Sequence, residues 1–448
     1  MKKIILVLFA LITVAISIEY KYHHVFRFVS KKLLPLNHGL PKWFDKKILF
    51  HPSDWVAPIL CVCVLFAVRK RPPKEVLLCA TLPVFAALSI AASPLAHVPI
   101  LYLHLWQYLT PVFVFAAAAL LDEELKPRVV KAVLGTLVCM GTFQALVAIG
   151  QYFTQHSLGL RWLGELEFSR HHLHGVPITV TPDGKLWTLG SAAPFATAAR
   201  AAGTLSHPNV LGGFLMMTTL ATLSLTTGLR RTALMALQLT ALTLSFSRAA
   251  LFGFVLGFGV WLFCQVQQRK SIKQAVATVV ASFALIFCLF HQQIIHRGGI
   301  VNYNQLAQQS DSVRLTYQTI AFRMIEKKPL LGVGHQQFMM RTGEYLEPGQ
   351  DPSQFMGATH NIYLFWAAET GLISLVCFIA LWAFAAWNGW LTRNNPHVPC
   401  LLGMLIGLLF IGCCDYYPLT FQSGRLMLFL AAGLLVSRRK SSQLTFVS

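Results

Sequence analysis

Charge is what this sequence has least of. Only 12% of its 448 residues are Asp, Glu, Lys or Arg, against about 25% in a soluble globular domain. Acidic residues are the scarcer sign, 17 against 37 basic ones, which leaves a formal charge of +20. The polar loops lack cysteine altogether. All ten cysteines (Cys61, Cys63, Cys79, Cys139, Cys264, Cys288, Cys377, Cys400, Cys413, Cys414) fall within or at the ends of apolar blocks. That excludes a disulfide framework and a thiolate zinc site. No phosphate-binding loop, dinucleotide fingerprint or Gly-x-Ser-x-Gly elbow is present. His171, His172 and His174 are close in sequence, but they have the character of a solvated loop cluster rather than a ligand set. No metal or cofactor is expected. The basic residues form short runs between apolar blocks, not a stripe interleaved with stacking aromatics. Nucleic acid is therefore excluded as a partner, and membrane lipids and anionic substrates are favoured.

What the sequence has in abundance is uninterrupted apolar chain. Hydrophobic residues make up 55% of it. They gather near 3–19, 50–68, 76–93, 99–121, 129–153, 204–227, 232–247, 249–266, 274–291, 360–387, 397–416 and 421–437. A helix needs roughly 20 such residues to cross ~30 Å of hydrocarbon. The expected fold is all-α: one polytopic integral membrane domain over 1–448, with about twelve transmembrane helices. Met1-Lys2-Lys3 and the apolar run after it resemble a signal peptide without a small-residue cleavage site, and are read as a retained first helix. Ser245-Phe246-Ser247-Arg248 breaks a longer run and reads as a tight turn. Gly253 and Gly257 form a small-x-x-x-small pair suited to close helix packing.

Short basic segments recur at every second boundary: Lys2-Lys3, Arg69-Lys70-Arg71, Lys126 with Arg128, Arg230-Arg231, Arg269-Lys270, Arg393 and Arg438-Arg439-Lys440. The positive-inside rule assigns these, and both termini, to the cytoplasm. The segment 20–48 is basic yet falls on the other side, and long segments translocate regardless of charge. Two long loops, 154–203 and 292–359, then lie outside. In the second, Val313, Tyr317, Ile320 and Met324 recur at helical spacing. Asp311 or Ser312 is the expected cap of this amphipathic helix, and Lys327-Lys328-Pro329 its end.

Under that topology Arg200, Arg248, Arg314, His360 and Asp415 share the outer face. Ionisable groups at membrane depth are costly and mark functional paths. Taken singly, each has a plainer reading: a snorkelling arginine, a capping histidine, an aspartate closing a turn. Together they suit one chemistry. Two arginines can hold a diphosphate bidentately. A histidine can take a proton from an attacking hydroxyl near neutrality. A carboxylate can orient that histidine or the acceptor.

Four fragments, in order, resemble the O-antigen ligase and polymerase superfamily. They are Arg200-Ala-Ala-Gly203 with His207-Pro208-Asn209-Val-Leu-Gly212; Ser245-Phe246-Ser247-Arg248; Pro329-Leu-Leu-Gly332-Val-Gly334 with Phe338; and His360-Asn361-x-Tyr363-Leu364 with Glu369-x-Gly371-Leu372. The likeness covers roughly 200–420. It implies an all-helical glycosyltransferase of the GT-C type in a bacterial inner membrane, with its site facing the periplasm. Arg248 and Arg314 would hold the diphosphate of an undecaprenyl-diphosphate-linked glycan, His360 would be catalytic and Asp415 supporting. Arg200, Asn209 and Asn361 would contact substrate, although a structural role for Arg200 and Asn209 is equally open. The acceptor would be lipid A–core for a ligase, or a second carrier-linked glycan for a polymerase. A protein O-oligosaccharyltransferase is expected to be longer. A flippase should show internal repeats or helices broken at mid-membrane.

Overall fold

The computed structural model describes residues 1–17, 53–68, 72–165, 178–179, 197–198, 200–298, 305–352, 355 and 357–436. The basic 20–48 segment, His171, His172 and His174, and the basic runs 69–71 and 438–440 lie outside the described residues. The described chain is helical apart from its connections and one two-residue antiparallel ladder, Ile178–Thr179 on Thr197–Ala198.

Eleven of the apolar blocks fall on one helix each: α1 (Lys2–Ser17), α2 (Ser53–Val68), α3 (Lys74–Ala91), α4 (Pro99–Leu120), α5 (Leu125–Thr154), α6 (Pro208–Leu225), α7 (Gly228–Leu244), α8 (Arg248–Gln267), α9 (Lys273–Gly298, kinked at Phe290), and, past the second long loop, α14 (Val398–Cys414) and α16 (Gln422–Leu435). Between them come the loop helix α10 (Gln305–Lys327), the short α11 (Phe338–Arg341), then α12 (Ile362–Thr370) and α13 (Leu372–Leu391), with the four-residue α15 (Tyr417–Thr420) before α16. Six described helices are long and apolar enough to cross a membrane by length and composition, and four more apolar helices are 10–17 residues long. Length and composition thus qualify six described helices as spans, where twelve are expected. Pro58, Pro83 and Pro111 sit inside helices. Membrane helices tolerate this because neighbours and local adjustments satisfy the freed carbonyls.

The centre is α6, the most buried of the span-length helices. Its start explains the His207-Pro208-Asn209 run. His207 caps the helix by accepting the Asn209 N–H on Nδ1 at 3.0 Å. Pro208 takes the first helical position, where its missing N–H costs nothing. Asn209 is then left with its amide projecting from the helix mouth.

Helix α14 packs on α8 more extensively than any other two helices pack. Gly253 and Gly257 make this possible, as their spacing suggests, but they work against a second pair, Gly403 and Gly407. A Cβ on Gly257 would stand 2.7 Å from the Gly403 carbonyl oxygen, and one on Gly403 would stand 2.4 Å from that of Gly257. Here the two backbones touch, which only glycine permits.

Two expectations need correction. The 360–387 block is not one helix. It divides at Gly371, whose φ of 87° lies in the left-handed region and whose Cβ position is filled by the Leu330 carbonyl oxygen. Leu372 N–H turns away to donate to Pro329 O at 2.8 Å. His360 therefore precedes a nine-residue helix, α12, and the span-length helix is α13. The loop helix is also longer than its cap signals implied. It starts at Gln305, since Gln305-Leu-Ala-Gln-Gln are all good helix formers, and Asp311 and Ser312 lie inside it. Its end at Lys327 is as expected. Tyr317, Ile320 and Met324 are buried and Val313 is partly so.

Candidate active site

The Ser245–Arg248 turn is built by local hydrogen bonding. Phe246 takes a left-handed φ of 47°, and Ser245 Oγ donates back to Leu242 O at 2.6 Å. Ser247 caps α8. Arg248 becomes the first residue of that helix. It is exposed and, among the described residues, forms no hydrogen bond or ion pair. The turn sits against α6 at Gly212, where a Cβ would meet Ser247 Cβ at 2.9 Å and Ser245 Oγ at 3.0 Å.

A buried relay joins this turn to the end of α14. Arg200 is 2% exposed. Its Nε donates to Ser245 O at 2.7 Å and its Nη2 to Asn209 Oδ1 at 2.5 Å. Asn209 Nδ2 in turn donates to Asp415 Oδ2 at 2.5 Å. The other Asp415 oxygen accepts the backbone N–H of Tyr416 at 2.8 Å. Arg200 and Asn209 are engaged within the protein, and they position Asp415.

His360 completes the cluster. Its ring stands edge-on to Tyr416, with centroids 4.9 Å apart, and its buried Nδ1 has no hydrogen-bond partner among the described residues. Burial holds the imidazole below the usual histidine value; Asp415 opposes that and Arg314 adds to it. Both charges are therefore close enough to be felt at the ring. Asn361 faces elsewhere: Oδ1 accepts Tyr363 N and Leu364 N at 3.0 Å each, capping α12, and Nδ2 reaches Cys413 O at 3.3 Å.

Arg314 is brought to His360 by a clamp that the sequence reading gave no role. Glu369, 1% exposed, accepts Gln336 N on one oxygen at 2.9 Å and Phe338 N on the other at 3.1 Å. Val333 N and Gly334 N bond Ala368 O and Glu369 O at 2.9 and 3.1 Å. The chain that follows α10 is thus fastened to the end of α12, while Tyr317 of α10 accepts Gly357 N at 2.7 Å. Behind Glu369 runs a buried polar chain. His335 Nδ1 lies 3.1 Å from Glu369 Oε2, and its ring is edge-on to Tyr108 at 4.3 Å. Arg425 lies 4.5 Å over Tyr108 and donates to Gln422 Oε1 at 2.7 Å. Gln422 Nε2 and Thr110 Oγ1 each donate to Asp54 Oδ1 at 2.8 Å. The signal for these residues was available: Asp54, Glu369 and Arg425 are ionisable groups inside apolar blocks, away from the block ends that carry the candidate residues.

Helices, lengths and apolar faces define a polytopic membrane protein in which Arg200, Arg314, His360 and Asp415 are brought together. Residues 233–379, from helix α7 to within α13, match the family model described as O-Antigen ligase. That region, about a third of the chain, holds Arg248, Arg314 and His360 and is similar to the O-antigen ligase and polymerase superfamily, a glycosyltransferase-like class of enzymes. Arg200, Asn209 and Asp415 lie outside the matched residues. A comparison with curated proteins finds no match.

Proposed function

We propose that the protein is an O-antigen ligase. It transfers a glycan from undecaprenyl diphosphate to lipid A–core at the periplasmic face of a bacterial inner membrane. The observation that carries this reading is the buried, unpartnered Nδ1 of His360, with Asp415 and Arg314 both acting on the ring. The acceptor hydroxyl oxygen bonds to the anomeric carbon as the bond from that carbon to the diphosphate breaks. His360 takes the hydroxyl proton. Arg248 and Arg314 meet the charge left on the departing diphosphate. Asp415, held by Asn209 and through it by Arg200, keeps a negative charge near the imidazole and favours its protonated form. The basic short loops, Arg230-Arg231, Arg269-Lys270 and Arg393, lie at the opposite end of the bundle, which supports a cytoplasmic assignment for that end. The acceptor's phosphates suit a basic outer surface.

The direct test is transfer by purified protein between an undecaprenyl-diphosphate-linked glycan and lipid A–core, run in chelator and reductant. Product should form at the rate seen without them. Loss of turnover restored by a divalent cation overturns the mechanism. In a deletion strain, long-chain lipopolysaccharide should vanish while carrier-linked polymer persists. Core bearing a single repeat unit would identify a polymerase instead.

A pH profile tests His360. The base must be neutral, so kcat/KM should fall only as pH drops through its lowered pKa, on the acid side of ~6.5. Asp415 raises that pKa. Asp415→Asn should therefore move the acid limb to still lower pH, in addition to slowing the reaction. A limb that stays in place would separate Asp415 from His360.

A further inference from the structure

Two tyrosines follow Asp415, and the turn sends them different ways. Asp415 Oδ1 accepts Tyr416 N at 2.8 Å and Tyr417 N at 3.4 Å, which sets the chain direction ahead of Pro418 in the first turn of α15. Tyr417 is 2% exposed. Its side chain enters the bundle and fills the place where a Cβ on Gly213 of α6 would stand. Its hydroxyl is buried with no hydrogen-bond partner among the described residues. Tyr416 goes to the site instead. It is half-buried, and its ring rests edge-on against His360. Its hydroxyl forms no hydrogen bond among the described residues, yet Asp415, Tyr317 and Arg314 all act on it. Two of those three belong to α10. The phenol therefore reaches from the end of α14 towards the helix that carries Arg314. Burial first, then Asp415 and Tyr317, push it up to about 12, against an opposing effect of Arg314. It keeps its proton at any physiological pH and is a neutral hydrogen-bond donor.

We propose that Tyr416 is a further catalytic residue, whose hydroxyl donates a hydrogen bond to the diphosphate oxygen that leaves the anomeric carbon. This rests on the transfer reading above and deepens it. The acceptor oxygen is the poorer target: it gives its proton to His360, and a donor aimed at it would lower its nucleophilicity. The oxygen that gains charge is on the diphosphate, and Arg314, which meets that charge, is the cation that acts on Tyr416. As the bond to the anomeric carbon breaks, its electron pair goes to that oxygen. A fixed donor there stabilises the charge as it develops. A diphosphate oxygen is a far weaker base than a phenolate, so the proton stays on Tyr416. Packing against His360 would need only the ring.

Tyr416→Phe keeps the ring against His360 and deletes only the hydroxyl. It should lower kcat/KM for the glycan donor by about 10–10²-fold, the range for one hydrogen bond to a charged group, with the acid limb of the pH profile where wild type has it. Tyr417→Phe removes a buried hydroxyl that has no partner among the described residues, and should match wild type. Undecaprenyl diphosphate, the product that carries the charge, locates the contact. It should inhibit Tyr416→Phe about tenfold less potently than wild type, and about tenfold more of it should be needed to raise the midpoint of thermal aggregation. Wild-type turnover by Tyr416→Phe overturns the inference and leaves the transfer reading intact. So does slow turnover with a displaced acid limb, with undiminished product inhibition, or with an equal loss in Tyr417→Phe. If the wild-type protein transfers nothing, the transfer reading falls instead, and the aggregation midpoints still decide whether Tyr416 touches the diphosphate.

Discussion

Lysine at position 248 or 314, or alanine at 360, is expected to cut glycan transfer by about 10²–10³-fold, or about 2.7–4 kcal/mol of transition-state stabilisation each. A guanidinium meets a diphosphate as a planar fork with two parallel hydrogen bonds; an ammonium meets it as a point charge. Charge is kept in Arg→Lys, so the loss would come from geometry. Arg248 is suited to this test because it is exposed and, among the described residues, carries no structural hydrogen bond. His360 stands before α12 with its Nδ1 unpartnered, so its loss should leave insertion and expression unchanged. The assay is transfer by membranes matched for the amount of each variant. If both lysine variants and His360→Ala transfer at wild-type rates, these residues are anchors and caps, and the proposed mechanism falls.

The second large effect is on folding. Gly257→Val or Gly403→Val should abolish the folded protein, because the new side chain meets an opposing backbone oxygen at 2.7 or 2.4 Å from its Cβ. Overpacking usually costs ~1–3 kcal/mol when side chains can shift; here the obstacle is backbone on both sides, so the helices must separate. Gly259→Val, two residues along the same helix and facing open space, should cost little and should improve helix propensity by about 0.3 kcal/mol. The measurement is the monodisperse fraction after detergent extraction and its midpoint of thermal aggregation. Similar behaviour of Gly257→Val and Gly259→Val would mean that α8 and α14 do not meet as described.

How much of this was legible in the sequence depended on whether the information is local. The Ser245–Arg248 turn was, because four residues of turn and cap chemistry interrupt an apolar run. Gly253 and Gly257 were, but their partners Gly403 and Gly407 were not, since nothing linear says which helices cross. The break at Gly371 was hidden for the same reason. Residues 360–387 are mostly apolar, and what turns the chain at the end of α12 is a carbonyl supplied by Pro329, 43 residues before the Leu372 N–H it accepts. The five candidate residues were placed on one face from topology alone. That Arg200 and Asn209 reach Asp415 by successive hydrogen bonds, and that Asn361 spends its amide oxygen on a cap, are facts of tertiary contact. Glu369 was visible as an acid in an apolar block, and its work as a clamp becomes apparent only with the 329–338 segment folded onto it.

That clamp makes chain length a constraint. Backbone hydrogen bonds tie Pro329, Val333 and Gly334 to Leu372, Ala368 and Glu369, so the segment between them is a closed loop pinned at its neck. A residue inserted near the neck would shift Arg314 against His360 by a fraction of a helical turn. Inserted between Glu347 and Pro352, where the chain is mostly exposed, it would bulge outward and leave the neck in place. This stretch is where the chain can lengthen or shorten without moving Arg314 against His360.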